Sequence, residues 1–237
     1  MSKGTAIITG ASQGIGACIA KGLALDGYKV VLISRNIEKL HDLEKEIKNQ
    51  KKESNIVLIK QDITKFKELD INLSNVLIEN EKIAVLVNAA GMWLNGSLTE
   101  SVDNFEKIID VNLVAQYAVL KRVVEKMKIQ REGYIFNIAS RAGKYGFENG
   151  GIYGATKFAF VGLSESLYRE LSPLGIKVTA LCPGWVNTEM AKEAGTPLKK
   201  DEMIQPEDIL STIRYLISLT KATCIKEMVF ECSKSIL

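Results

Sequence analysis

The sequence predicts a doubly wound α/β fold: a parallel seven-stranded sheet flanked by helices on both faces. Three observations carry that expectation. Short apolar runs alternate with helical patterns along the chain. The runs are apolar throughout instead of every second residue, as when helices cover both faces of a sheet. The first run passes through a glycine cluster directly into a helix. Strands are expected at Thr5–Thr9, Lys29–Ser34, Asn55–Lys60, Ile83–Val87, Tyr134–Ala139, Lys177–Cys182 and Glu227–Glu231. Helices are expected near 14–26, 36–51, 66–81, 101–129, 151–173 and 206–219. In such a sheet, ligands bind at the carboxyl ends of the strands.

Length and composition set the bounds. At 237 residues, with 46% hydrophobic content and no Pro-, Gly- or Ser-rich linker, one domain over 1–237 is expected. The net charge of +3 is mild, and the pairs Lys51-Lys52 and Lys199-Lys200 have acids beside them. They read as solvated faces, so no nucleic-acid partner is expected. No apolar stretch reaches membrane length and no secretory signal is apparent, which points to a cytoplasmic protein without a membrane partner. Cys18, Cys182, Cys224 and Cys232 have neither paired nor metal-ligand spacing, so reduced thiols and no metal are expected. The only histidine, His41, falls on a charged helical pattern, which leaves histidine-based mechanisms without a residue to use.

The first strand ends in Thr9-Gly10-Ala11-Ser12-Gln13-Gly14-Ile15-Gly16. Gly10 permits the tight turn, Gly14 lets a pyrophosphate approach the backbone, and Gly16 lets helix and sheet pack closely. Ser12, Gln13 and Ile15 complete the loop, and the helix N-terminus offers amide donors to phosphate. This is the Rossmann arrangement of a dinucleotide site, although the spacing is not the commoner G-x-G-x-x-G. The second strand ends in Ser34-Arg35-Asn36, without the acid that usually holds a ribose 2′-hydroxyl. Arg35 either pairs with a 2′-phosphate or faces water; the first reading favours NADP, NADPH over NADH. Asp62, with Ile63 beside it, follows the third strand and suits the adenine amine. Asn88-Ala89-Ala90-Gly91 follows the fourth, where small residues let backbone lie along a cofactor. Asn112 stands inside the 101–129 pattern, where its amide competes for backbone bonds.

Chemistry is expected between Ser140 and Lys157. Ser140 ends the apolar run 134–139, and Tyr153 and Lys157 stand four apart at the start of a helix marked by Leu163, Leu167 and Leu171. Residues four apart share a helix face. A phenol with its ordinary pKa of about 10 has to come down by about three units to exchange protons near neutral pH. The Lys157 charge, helped by an oxidised nicotinamide, is expected to supply that shift, while Ser140 steadies the substrate oxygen.

Taken in order, Thr9-Gly-x-x-x-Gly-x-Gly16, Asp62, Asn88-Ala-Ala-Gly91, Asn112, Ser140, Tyr153-x-x-x-Lys157 and Pro183-Gly184-x-Val186-x-Thr188 resemble the short-chain dehydrogenase/reductase family, in its compact single-domain branch. The resemblance implies Tyr153 as acid/base and Lys157 as the residue that lowers its pKa and holds the nicotinamide ribose. It implies Ser140 as the group on the substrate oxygen and Asn112 as support for a water-linked proton relay. Pro183, Gly184, Val186 and Thr188 would meet the nicotinamide end, Val186 through its backbone. It also implies a homodimer or homotetramer through helices 101–129 and 151–173, and a small substrate lid near 188–205.

Trp93, Tyr145, Trp185 and Met190, with Leu94 and Phe147, follow strand ends or lie in the lid, and their bulk points to an apolar or aromatic carbonyl compound. Arg141 reads as facing water, with an acidic group of the substrate as the other reading. The chain departs from many acyl-carrier-protein reductases of the family in running from its last strand into Glu231-Cys232-Ser233 instead of a Gly-rich end. The leading expectation is an NADP-dependent carbonyl reductase. A catalytically silent NADP-binding sensor and an NAD-linked alcohol dehydrogenase are the alternatives.

Overall fold

The first strand sits at the centre of the architecture. In the computed structural model, which describes residues 3–80 and 82–235, β1 (Thr5–Thr9) is buried along its whole length and pairs in parallel with both β2 (Lys29–Ser34) and β4 (Ile83–Asn88). With β3 (Ile56–Lys60), β5 (Gly133–Ile138), β6 (Ile176–Pro183) and β7 (Glu227–Phe230), these form one parallel sheet in the order β3-β2-β1-β4-β5-β6-β7. The seven expected strands are present, with ends moved by a residue or two.

Helices α1 (Gly14–Leu25), α2 (Ile37–Gln50), α3 (Phe66–Glu79), α4 (Val102–Ile109), α5 (Ala115–Gln130), α6 (Gly151–Leu171), α7 (Glu189–Glu193) and α8 (Pro206–Ser218) cover the sheet. The residue at which the third helix was expected to end, 81, lies outside the described residues. One core packs Ile19 and Leu23 of α1, Leu40 and Ile47 of α2, and Ile209 and Ile213 of α8 on one face of the sheet. On the other face, Leu69 and Leu73 of α3, Val119 and Val123 of α5, and Phe160 of α6 pack together. Each large apolar side chain so buried contributes about 1.5–3 kcal/mol.

Two elements differ from expectation. The single helix expected over 101–129 is α4, a π turn at Asp110–Val114, and α5. The wide turn places Asn112 where its side chain bonds backbone of a neighbouring loop, a pull that regular helical spacing does not accommodate. Within the expected lid, α7 is a short helix capped by Thr188, whose hydroxyl accepts from the Ala191 amide at 3.4 Å. This segment is tied at its base: the Asn187 amide donates to the Ile204 oxygen and the Ile204 amide to the Trp185 oxygen, at 2.9 and 3.0 Å.

The strand order reverses direction between β1 and β4. There the Thr9 hydroxyl accepts from the amides of Ala89 and Ala90, both at 3.2 Å, and holds the two strand ends together. A crevice at this reversal is where an open α/β sheet binds its ligand.

Candidate active site

A cleft of about 850 Å³ opens at the carboxyl ends of the strands. The glycine loop forms one wall, with Ile33–Arg35 and Gln61–Ile63 at one end. Ala89–Trp93 and Ser140–Ala142 form the other wall, and Pro183–Val186 and Thr188–Ala191 cover it. Among the coenzyme, acid/base and aromatic-wall residues singled out from sequence, all line this cleft except Asn88, Asn112 and Leu94.

The glycine loop fits a dinucleotide. Gly10 has φ +65°, and a Cβ there would stand 2.7 Å from the Ala90 backbone. A Cβ at Gly16 would overlap the Gly10 carbonyl oxygen. Gly14, with φ +55°, faces Thr188, where a Cβ would stand 3.0 Å from the methyl group. Glycine at these three positions thus lets the loop turn tightly into the start of α1, whose N-terminal amides suit a pyrophosphate. At its outer end, Ser34 Oγ donates to Ser12 Oγ at 2.8 Å, Lys39 Nζ donates to Gln13 Oε1 at 2.8 Å, and Arg35 is exposed beside them. Two hydroxyls and two cations at one rim suit a phosphate monoester. Asp62 Oδ1 accepts from the Thr64 amide and hydroxyl at 3.0 and 2.8 Å. Burial pulls that carboxyl upward, but the Thr64 bonds and the Arg35 and Lys65 charges outweigh it and hold the pKa below the usual range.

At the other end, β5 delivers Ser140 and the first two turns of α6 deliver Tyr153 and Lys157. Ser140 Oγ accepts from the Ala142 amide at 3.1 Å, which fixes the hydroxyl at the start of a short turn. Lys157 Nζ lies 5.5 Å from the centre of the Tyr153 ring and donates to the Ile138 carbonyl at 3.2 Å. Both side chains are buried. The expected downward shift of the phenol rests on Lys157 together with an oxidised nicotinamide; in the chain alone, burial dominates. Burial pushes Tyr153 up to about 12, opposed by a Ser140 hydrogen bond, and burial brings Lys157 down to about 8.

The two asparagines behind the cleft act on its walls. Asn88 Nδ2 donates to Asn137 Oδ1 at 2.9 Å and links β4 to β5. Asn112 Oδ1 accepts from the Met92 amide at 2.8 Å, and its Nδ2 donates to the Met92 carbonyl at 2.9 Å and to Thr156 Oγ1 at 3.2 Å.

Trp93, Tyr145, Trp185 and Met190 line the cleft, with Tyr145 the most exposed of the four. The Trp93 ring stacks on Phe147 at 6.1 Å and meets Tyr153 edge-on at 4.7 Å. Arg141 does not simply face water. It donates to Glu231 Oε2 at 2.7 Å and to Ser235 Oγ at 3.3 Å, and all three residues line the cleft. Glu231 and Ser235 gave no sequence signal, because only the placing of β7 beside β6 brings the C-terminal segment to this wall.

Residues 4–199 match the family model described as short chain dehydrogenase. The chain belongs to the short-chain dehydrogenase family. An uncharacterized oxidoreductase of Staphylococcus epidermidis is 31% identical over 224 residues, 94% of each chain. A betaketoacyl-[ACP] reductase from Bacteroides thetaiotaomicron is 54% identical over 99% of each chain, with a TM-score of 0.90. An actinorhodin polyketide ketoreductase, solved with NADPH, is 27% identical over the full length of each, with a TM-score of 0.89. The protein is therefore an oxidoreductase on the family's Rossmann fold. No helix among the described residues is long and apolar enough to cross a membrane.

Proposed function

We propose that this short-chain dehydrogenase is an NADPH-dependent reductase of ketones that carry an apolar or aromatic substituent. The observation that carries the reading is the convergence of Ser140, Tyr153 and Lys157 on one end of a cleft whose other end is the glycine cradle. The nicotinamide, when bound, supplies or accepts the hydride. Tyr153 donates its proton to the carbonyl oxygen, and Ser140 hydrogen-bonds that oxygen as charge develops on it. A phenol pushed up to about 12 is protonated at neutral pH, the form that reduction requires. Lys157 holds the nicotinamide ribose and returns a proton to Tyr153. Asn112 keeps the 89–93 loop in place, in support of a proton relay.

For the coenzyme, we assign Ser12, Gln13 and Arg35 to the 2′-phosphate, with Gly10, Gly14, Ile15 and Gly16 along the pyrophosphate. Asp62 and Ile63 meet the adenine, Asn88, Ala89 and Gly91 support the adjoining ribose, and Pro183, Gly184, Val186 and Thr188 hold the nicotinamide end. Trp93, Tyr145, Trp185 and Met190 form the substrate wall, under the lid at 188–205 of one domain spanning the chain. A cytoplasmic homodimer or homotetramer through α4, α5 and α6 completes the reading; Phe105, Tyr117 and Phe158 are exposed on these helices, as an interface requires.

The 54% identity to a betaketoacyl-[ACP] reductase supports a keto group within an acyl chain as one substrate class. The test is absorbance-monitored oxidation of NADPH and NADH with acetoacetyl thioesters, aromatic ketones and sugars. Turnover of a ketone with NADPH preferred is expected. Preference for NADH would move the assignment to an NAD-linked dehydrogenase, and coenzyme binding without turnover on any carbonyl would leave an NADP-binding sensor.

A further inference from the structure

The loop after β4 reaches the acid/base residue through an aromatic ring. Asn112, in the π turn, grips the Met92 peptide at both its amide and its carbonyl, at 2.8 and 2.9 Å. The next residue is Trp93, whose ring lies edge-on to Tyr153 with centres 4.7 Å apart and an interplanar angle of 61°. Such an edge-to-face pair has a preferred geometry, so it is orienting as well as apolar. Phe147 also meets the indole, stacked within 11° of parallel. Tyr153, Ile152, Ala142 and Ile108 form a separate buried cluster, against which Met92, Trp93 and Leu94 pack.

We propose that Trp93 is a positioning residue for Tyr153: anchored by the Asn112 grip on Met92, its ring fixes the attitude of the phenol and screens it from water. This rests on the reading of Tyr153 as the proton donor. The Asn112 amide is bonded to Met92 and Thr156, so its direct effect in this fold is on the wall that carries Trp93.

Screening has a sign. Burial is what raises the Tyr153 pKa, so removing the indole lowers it. Among the described residues, few charged or hydrogen-bonding groups face the phenol. Lys157 stands on its own helix, Ser140 faces it from the end of β5, and Arg141 on the next turn is paired with Glu231. The 89–94 segment, Ala-Ala-Gly-Met-Trp-Leu, carries no titratable group. A change made at Trp93 therefore alters water access and ring contact without removing a charge.

The experiment follows the ultraviolet tyrosinate titration of Tyr153 in the presence of NADP+, taken as the difference between each protein and its Tyr153→Phe counterpart. Turnover of an acetoacetyl thioester and of an aromatic ketone is measured beside it, with coenzyme fluorescence as the check on folding. Trp93→Ala is expected to move the titration to lower pH and to reduce kcat by about tenfold to a hundredfold, the loss typical of a slightly misplaced reacting group. Trp93→Phe should retain most of both properties. Asn112→Ala should shift the titration in the same direction and combine with Trp93→Ala less than additively, because the two act through one route. Trp93→Leu replaces the alanine variant if that protein does not fold. A Trp93→Ala protein with raised KM but parental kcat and titration would make the indole only a substrate wall and overturn the inference. An active Tyr153→Phe protein would overturn the reading of Tyr153 and the inference with it. An inactive Tyr153→Phe beside an unmoved Trp93→Ala would overturn the inference alone.

Discussion

The Lys157 ammonium is buried against the Ile138 carbonyl, 3.2 Å away, at the end of the strand that delivers Ser140. Burial brings its pKa from 10.5 down to about 8. A lysine depressed in this way binds fewer protons in the folded chain than in the unfolded chain between those values. Its cost to stability is therefore complete below pH 8 and is relieved as pH rises from about 8 toward 10.5. In the absence of coenzyme, Lys157→Met should stabilise the protein at pH 7 by about 1–3 kcal/mol and remove that segment of the pH dependence. Urea midpoints at pH 7 and pH 10 measure both effects. A variant less stable than the parent at pH 7 would show that the ammonium is stabilising where it sits.

Arg35 stands at the rim with Ser12, Ser34 and Lys39. Replacing it by aspartate removes a cation and adds a charge that repels phosphate. Loss of a charge-assisted bond of at least about 1.5 kcal/mol weakens NADPH binding by about tenfold or more. NADH should bind more tightly, with its 2′-hydroxyl now facing an acceptor. Fluorescence titrations with both coenzymes give the ratio, and an unchanged NADPH dissociation constant for Arg35→Asp would remove Arg35 from the site.

Gly16 packs on the Gly10 carbonyl, so a methyl group there meets backbone instead of a side chain able to rotate away. Gly16→Ala should cost about 1–3 kcal/mol of stability, the usual range for overpacking. It should also weaken both coenzymes alike, because the distorted loop serves the pyrophosphate they share. Thermal melts with and without coenzyme report the two effects separately.

Tyr153→Phe retains the ring that Trp93 meets and removes only the ionisable oxygen. Fold and coenzyme affinity should persist while ketone turnover falls by roughly 10²–10⁴-fold, the range for lost general acid catalysis. Stopped assays over hours are needed to measure the remainder.

The fold could be read from the chain because its strands are apolar on both faces and Gly10, Gly14 and Gly16 stand at a strand-to-helix junction. Nearly all of the candidate site follows from the same logic, since it collects at strand ends. Two things escaped. The π turn at Asp110–Val114 arises from a tertiary bond, Asn112 to Met92, which helical periodicity does not encode. The Arg141–Glu231 pair joins residues far apart in sequence and depends on β7 lying beside β6.

The strand order has a consequence for how the chain acquires its cleft. Every pairing in the sheet is parallel, so no two neighbours can close as a hairpin, and each must wait for an intervening crossover. The central β1 finds β2 early, but its other partner brings Asn88 to Thr9 across a long stretch of chain. That closure creates the crevice, so during synthesis the glycine loop emerges well before the wall opposite it. Contacts of such high sequence separation slow folding, and they make the coenzyme site a late product of assembly, not a nucleus for it.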